Sequence, residues 1–182
     1  MLRIRIPNLG KRGTSGTAAI EFALIAPVFF LMLFAILETG MVFFAGQTLQ
    51  HGVVQTARLI RTGQAASQNM TQAQFRTQLC NQVSFLLTCD PAKLYIDVRS
   101  YTNFAGSGYP QPLDAGGNIV AGNVNSYSPG GSSNIAGGQN IVLVRAFYTW
   151  QLFTPLFGNY FANMPNNKRL LSASVAFKNE PY

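Results

Sequence analysis

An apolar run near the amino terminus constrains the fold of this chain more than any other feature. From Phe22 to Leu37 no residue carries a formal charge, and after Glu38 the sequence stays apolar through Ala45. A helix needs roughly 20 mostly apolar residues to cross a hydrocarbon core of about 30 Å. The run therefore predicts one transmembrane helix over residues 17–45.

The charges on either side of the run predict its orientation. Four basic residues precede it, namely Arg3, Arg5, Lys11 and Arg12. Because cytoplasmic flanks carry an excess of Lys and Arg, we expect a cytoplasmic N-terminus, with everything after residue 45 on the other side of the membrane. A secretory signal peptide is the alternative, but its apolar core runs only about 7–15 residues. The longer run favours a retained helix.

An acid at the start of this run has two interpretations. Glu21 near a helix N-terminus is favoured by the helix dipole, which is the simpler interpretation. The second is a processing site in which a basic leader, residues 1–16, is cut after Gly16. Thr17 is then the new N-terminus, and its ammonium needs a counter-charge that Glu21 of a neighbouring subunit supplies.

The composition excludes several classes of function. The net charge is +7, yet the basic residues outside the leader are scattered and form no stripe, so we expect no nucleic-acid partner. His51 is the only histidine and no nucleophile has a base at a recognisable spacing, so we expect no enzyme, no metal site and no cofactor.

Periodicity predicts an α+β fold for the single domain of residues 46–182. The apolar stripe continues the first helix to about residue 62, and a second helix covers about 72–88. Alternating or β-branched runs predict strands at about 93–104, 140–153 and 169–178, the middle one being central. Residues 105–139 are rich in Gly, Ser, Asn and Pro and predict a long exposed excursion without a rigid structure. Together these elements predict a long helix packed on a small antiparallel sheet.

Two cysteines, Cys80 and Cys89, predict a disulfide in an oxidising compartment, with two free thiols as the alternative. A straight helix would separate them by roughly 13 Å, whereas the Cα atoms of a disulfide approach within about 7 Å. Either the helix breaks near residues 84–88 or the turn at residues 89–91 folds back. We expect the second.

At several places the chain resembles the TadE-like minor pilins, or pseudopilins, of the tight-adherence (Tad) branch of type IV pili. The residues that carry the resemblance are Gly16–Pro27, Ala57–Arg58 with Arg61–Ala65, the cysteine pair, Val144–Arg145 with Tyr148–Trp150, Thr154–Leu156, and Phe177–Tyr182.

This resemblance implies a location in the bacterial inner membrane, with a periplasmic or extracellular C-terminal domain. It further implies processing by a prepilin peptidase, with Gly16, Thr17, Glu21 and Phe22 as cleavage and recognition residues. It also implies partners among other Tad pilus subunits and assembly proteins, in a pilus used for adhesion and biofilm formation. The alternative function is an uncleaved, single-span periplasmic binding or accessory protein. The sequence does not separate a filament component from an initiation or basal-body factor.

Overall fold

The computed structural model describes residues 14–101, 108–129, 141–154 and 158–178. The basic residues of the predicted leader, the predicted strand residues 102–104 and 140, and residues 105–107 and 130–139 of the glycine-rich segment lie outside these ranges. The chain divides into two compact units, Met1–Leu37 and Glu38–Tyr182. We call the second the globular unit.

The first helix, α1, runs from Thr14 to Arg61 and belongs to both units. Within the globular unit its apolar residues recur every three or four positions and are buried: Ala45, Leu49, Val53, Ala57 and Ile60. This spacing lays one stripe along the helix, which packs into the main core. The predicted continuation of the apolar helix into the domain is confirmed.

Two further helices follow, α2 at Gln64–Ser67 and α3 at Gln72–Val83. A capping box of Thr71 and Gln74 begins α3. The backbone N–H of Gln74 donates to Thr71 Oγ1 at 3.3 Å, and the N–H of Thr71 donates to Gln74 Oε1 at 2.8 Å. Two otherwise unpaired donors of the first turn are satisfied in this way.

The end of α3 corrects one expectation. The helix stops at Val83 rather than about residue 88, and Ser84 caps it. Cys80 and Cys89 form the disulfide with their Cα atoms 5.8 Å apart. The expected fold-back at residues 89–91 is therefore wrong, because the chain already leaves the helix after Val83. An unbroken helix would hold the two cysteines too far apart.

Three antiparallel strands form the sheet in the order β1 (Leu94–Tyr101), β2 (Ile141–Gln151) and β3 (Lys168–Lys178). The central position of β2 confirms the prediction from its β-branched and aromatic run. Val98 pairs with Val144, and Val144 pairs with Val175. The face that carries these residues joins the buried stripe of α1 in one core.

The opposite face of the sheet is covered by residues of the glycine-rich segment. A short helix, α4 (Ala121–Val124), buries Val124 against Phe147 and Leu170. The segment also pairs with the outer edge of β1, where the N–H of Val98 donates to Ser126 O at 2.7 Å and the N–H of Ser128 donates to Val98 O at 2.8 Å. The described part, residues 108–129, which we call the cover, thus makes defined contacts with the sheet, whereas its composition predicts no rigid structure. Val124 is buried, and many other residues of the cover are exposed. A last short helix, α5, is Gly158–Phe161.

Candidate functional site

The predicted processing residues lie at the beginning of α1. Gly16, Thr17, Glu21 and Phe22 are all exposed there. An exposed backbone at Gly16 is accessible to a second protein, and the Glu21 carboxylate is accessible to an external cation. Cleavage after Gly16 and recognition through Glu21 stay predictions.

The apolar part of α1 is uncovered. Among the described helices, the segment beginning at Gly16 is long and apolar enough to cross a membrane, and its most apolar stretch has no buried residue. The exposed large side chains include Ile20, Leu24, Ile25, Val28, Phe29, Met32, Ile36 and Leu37. So large an apolar surface requires lipid or other helices around it.

Glu38, the acid that interrupts the apolar run, is a buried anchor inside the globular unit. Its exposed fraction is 4%. The N–H of Phe153 donates to Oε1 at 2.6 Å, and the N–H of Thr154 donates to Oε2 at 3.0 Å. The two carboxylate oxygens thus satisfy two consecutive donors where the chain leaves β2. Charge-assisted bonds of this kind are about twice as strong as neutral ones. We call this region the Glu38 end of the globular unit.

Sequence reasoning missed this anchor. An acid at the far end of a predicted membrane helix was a visible signal, because acids inside such segments are rare and usually have a partner. The partners, however, are backbone groups 115 and 116 residues away in the sequence. No side-chain pattern identifies them.

A buried ionic pair links the neighbouring strands β1 and β2. Asp97 on β1 is fully buried, and Arg145 on β2 is 3% exposed. Arg145 Nη2 donates to Asp97 Oδ2 at 2.6 Å, and Arg145 Nε donates to the same oxygen at 3.0 Å. The Arg99 Nε–H donates to Asp97 Oδ1 at 3.0 Å, and the N–H of Ser126 donates to it at 3.2 Å. Both carboxylate oxygens are therefore satisfied, as a buried charge requires.

Arg145 also holds the cover directly. Its Nη1 donates to Pro110 O at 2.9 Å, and its Nη2 donates to Asn123 O at 2.9 Å. The guanidinium lies over the ring of Tyr109 at 5.6 Å and over that of Phe147 at 5.3 Å from the centroids. Because Arg presents five donors in a planar fork, one side chain links β1 to two points of the cover.

Two groups of the cover have a shifted pKa. The pKa of Asp114 lies below its ordinary 3.8, chiefly because the backbone N–H of Asn118 donates to its carboxylate. The side chain of Asn118 and the N–H of Gly116 lower the pKa further, while desolvation opposes the shift without cancelling it. Desolvation raises the pKa of Tyr127 above 10.0. Asp114 is exposed and shapes a turn, so its shift indicates local structure rather than acid–base chemistry.

No catalytic or metal-binding arrangement occurs within the described ranges. No group of three or more His, Cys, Asp or Glu side chains there is placed to hold a metal ion. His51 lies exposed on α1, and both cysteines are in the disulfide. The arrangement offers an exposed apolar helix, a buried carboxylate that accepts from two backbone N–H groups, a buried ionic pair, and exposed residues at the predicted processing site.

Comparison with known proteins finds a match for a segment of α1 and none for the strands of the sheet. Residues 16–58 match the family model described as TadE-like protein. No curated protein and no solved structure matches the chain. The matched segment contains Gly16, Glu21 and the Glu38 anchor, and TadE-like proteins are a pilus-associated family rather than a family of enzymes. Residues 16–58 are thus similar to TadE-like proteins, which agrees with the resemblance of Gly16–Pro27.

Proposed function

We propose that this protein is a prepilin-like minor pilin, or pseudopilin, that acts in the assembly of a Tad-type adhesive pilus. The observation that carries the proposal is the TadE-like match over residues 16–58, which includes both the processing motif and the exposed apolar helix. A helix that is uncovered along its apolar length suits a subunit that moves from lipid into contact with other subunits.

In this proposal the part of α1 before Glu38 anchors the chain in the inner membrane, with the globular unit outside. A prepilin peptidase cuts after Gly16, and the ammonium of Thr17 then pairs with Glu21 of a neighbouring subunit. In a low-dielectric environment such a pair is strongly attractive, and an unpaired charge is costly. The exposure of Glu21 supports this role, because an external partner can reach the carboxylate.

The N-terminal sequence of the protein recovered from its native membranes tests the processing step. We expect the chain to start at Thr17. An intact leader would contradict cleavage and would favour the alternative, an uncleaved anchored accessory protein.

Assembly is tested separately with Glu21→Gln. We expect this variant to remain in the membrane fraction but to drop out of the complex with other pilus subunits, measured by co-purification. Gln47→Ala is the matched control, because Gln47 is also an exposed polar residue of α1 and lies outside the motif. Equal recovery of the complex with both variants would contradict the role of Glu21.

A further inference from the structure

Four phenylalanines stay exposed at the Glu38 end of the globular unit. The exposed fractions are 70% for Phe43, 54% for Phe44, 71% for Phe85 and 68% for Phe153. They come from three separate segments of the chain: α1, the turn after α3, and the segment after β2. We call this set the aromatic collar. Leaving apolar side chains of this size in water costs free energy. Four of them exposed at one end of the unit therefore indicate that another apolar surface covers them.

The collar surrounds α1 rather than forming a patch on one side of it. Phe43 and Phe44 follow Glu38 by five and six residues, which places them about 140° and 240° around the helix from it. Phe153 lies on the Glu38 side, where its N–H meets the carboxylate. Phe85 lies on the Phe44 side, with ring centroids 6.4 Å apart. The four rings therefore face several directions around one axis.

The backbone holds the two outer rings of the collar in place. The Cys80–Cys89 disulfide closes the turn that carries Phe85. Glu38 fixes the backbone at Phe153, whose ring packs edge-on against Trp150 with centroids 6.1 Å apart. Both rings are positioned yet remain open to the outside.

Basic residues lie at the same end of the unit. Lys93 precedes β1, and its carbonyl accepts from the N–H of Thr149 near the end of β2. Lys168 and Arg169 begin β3 opposite Gln151 and Trp150. Asp90 is an exposed acid nearby. Protein surfaces that lie on anionic lipid typically insert aromatic rings at the boundary between headgroups and acyl chains. Basic side chains beside the rings then lie at the level of the headgroups.

We propose that the aromatic collar docks the globular unit onto the surface of the phospholipid bilayer. This inference rests on the proposed anchoring of the chain by α1. A bilayer surrounds an emerging helix on all sides, whereas one protein partner covers one side, so the distribution of the rings around α1 favours lipid. The apolar run continues through Phe43 and Phe44 into the collar, which joins it to the segment proposed to lie in the membrane.

Quenching of tryptophan fluorescence by brominated lipid tests the docking. All variants are made in the full-length protein with Trp150→Phe, so that each variant contains one tryptophan, at the position being probed. Phe85→Trp and Phe153→Trp probe the collar, and Phe30→Trp probes the proposed span. Val54→Trp is the matched control, because Val54 is 45% exposed on α1 but lies four turns beyond Glu38. The vesicles contain phosphatidylcholine, with or without brominated acyl chains, and about one quarter phosphatidylglycerol.

We expect brominated lipid to reduce emission about twofold or more at positions 30, 85 and 153 and to leave position 54 nearly unchanged. Quenching at 30 without quenching at 85 and 153 overturns the docking while the anchoring stands. No quenching at any position overturns the anchoring and the docking together. If positions 85 and 153 are protected from aqueous iodide but are not quenched by brominated lipid, a protein covers the collar and the inference is wrong.

Discussion

At the scale of single residues, the globular unit depends on two buried acids that bind across long sequence separations. Glu38 bridges α1 to the segment after β2, and Asp97 links β1 to Arg145 and the cover. A buried carboxylate is tolerated only when donors satisfy its oxygens, so each acid fixes the backbone or side chain that supplies the donors.

Removing the Glu38 carboxylate should destabilise the globular unit. Glu38→Ala leaves the N–H groups of Phe153 and Thr154 without their acceptor, at a cost of about 1–3 kcal/mol. Denaturant unfolding followed by near-ultraviolet circular dichroism measures the loss. The control is Gln55→Ala on the exposed side of α1, for which we expect a change within about 0.5 kcal/mol. Equal stability of both variants would contradict the anchor.

Removing Arg145 should cost more, because Asp97 then remains as a buried charge without its main partner. We expect Arg145→Met to lower the free energy of unfolding by about 3–5 kcal/mol and the double variant Asp97→Leu with Arg145→Met to recover most of the loss. Hydrogen exchange at Val124 should accelerate in the single variant, since the cover loses the donors to Pro110 and Asn123. A double variant no more stable than the single one would argue against this account.

At the scale of elements, α1 and α3 pack closely at one glycine. Gly40, Gly46 and Gly52 recur every six residues on α1, yet a Cβ at Gly40 or Gly46 would meet nothing within 4 Å. A Cβ at Gly52 would overlap Val83 Cγ1 and lie 3.0 Å from Leu79 Cδ1. The close approach that a repeated glycine permits is therefore realised at Gly52.

A pair of alanine substitutions tests this packing. Gly52→Ala should lower the free energy of unfolding by about 1–3 kcal/mol, because the added methyl forces Val83 and Leu79 aside. Gly46→Ala adds the same methyl into open space and should stabilise the helix by up to about 1 kcal/mol through helix propensity. Thermal unfolding of the two variants side by side measures the difference. A stabilising Gly52→Ala would show that the helices do not meet there.

At the scale of the whole molecule, the buried core belongs to one unit. In the part of the chain that the structure describes, every buried residue lies at or after Glu38. The preceding apolar helix adds no buried side chain. In the proposed function, lipid or other helices therefore surround the first unit, and water surrounds most of the second.

A fragment of residues 38–182 should fold without the preceding helix. Its core and its disulfide are complete, so we expect it to unfold in one cooperative thermal transition. The transition midpoint should lie within about 4 °C of that of the full chain when both proteins are measured in mild detergent. Near-ultraviolet circular dichroism of Trp150 reports tertiary packing. Loss of that signal in the oxidised fragment would mean that residues before Glu38 contribute to the fold.

The sequence by itself determined the elements of this protein. An apolar run predicts its helix, the three- and four-residue spacing from Ala45 to Ile60 predicts the stripe that enters the core, and the β-branched run of β2 predicts the central strand. These properties are periodic and local, so neighbouring residues suffice to predict them. The predicted processing site also rests on neighbouring residues, and the match of residues 16–58 agrees with the family that this site suggests.

Only the tertiary structure decided how the acids, the cover and the end of α3 are arranged. Glu38 binds backbone groups that carry no sequence signal, and Arg145 orders a segment whose composition predicts an exposed loop. The turn after Val83 follows from a disulfide that a continuous helix would not allow. The physical reason is common to all three. Each arrangement depends on a partner far away in the sequence, and burial rather than local propensity selects that partner.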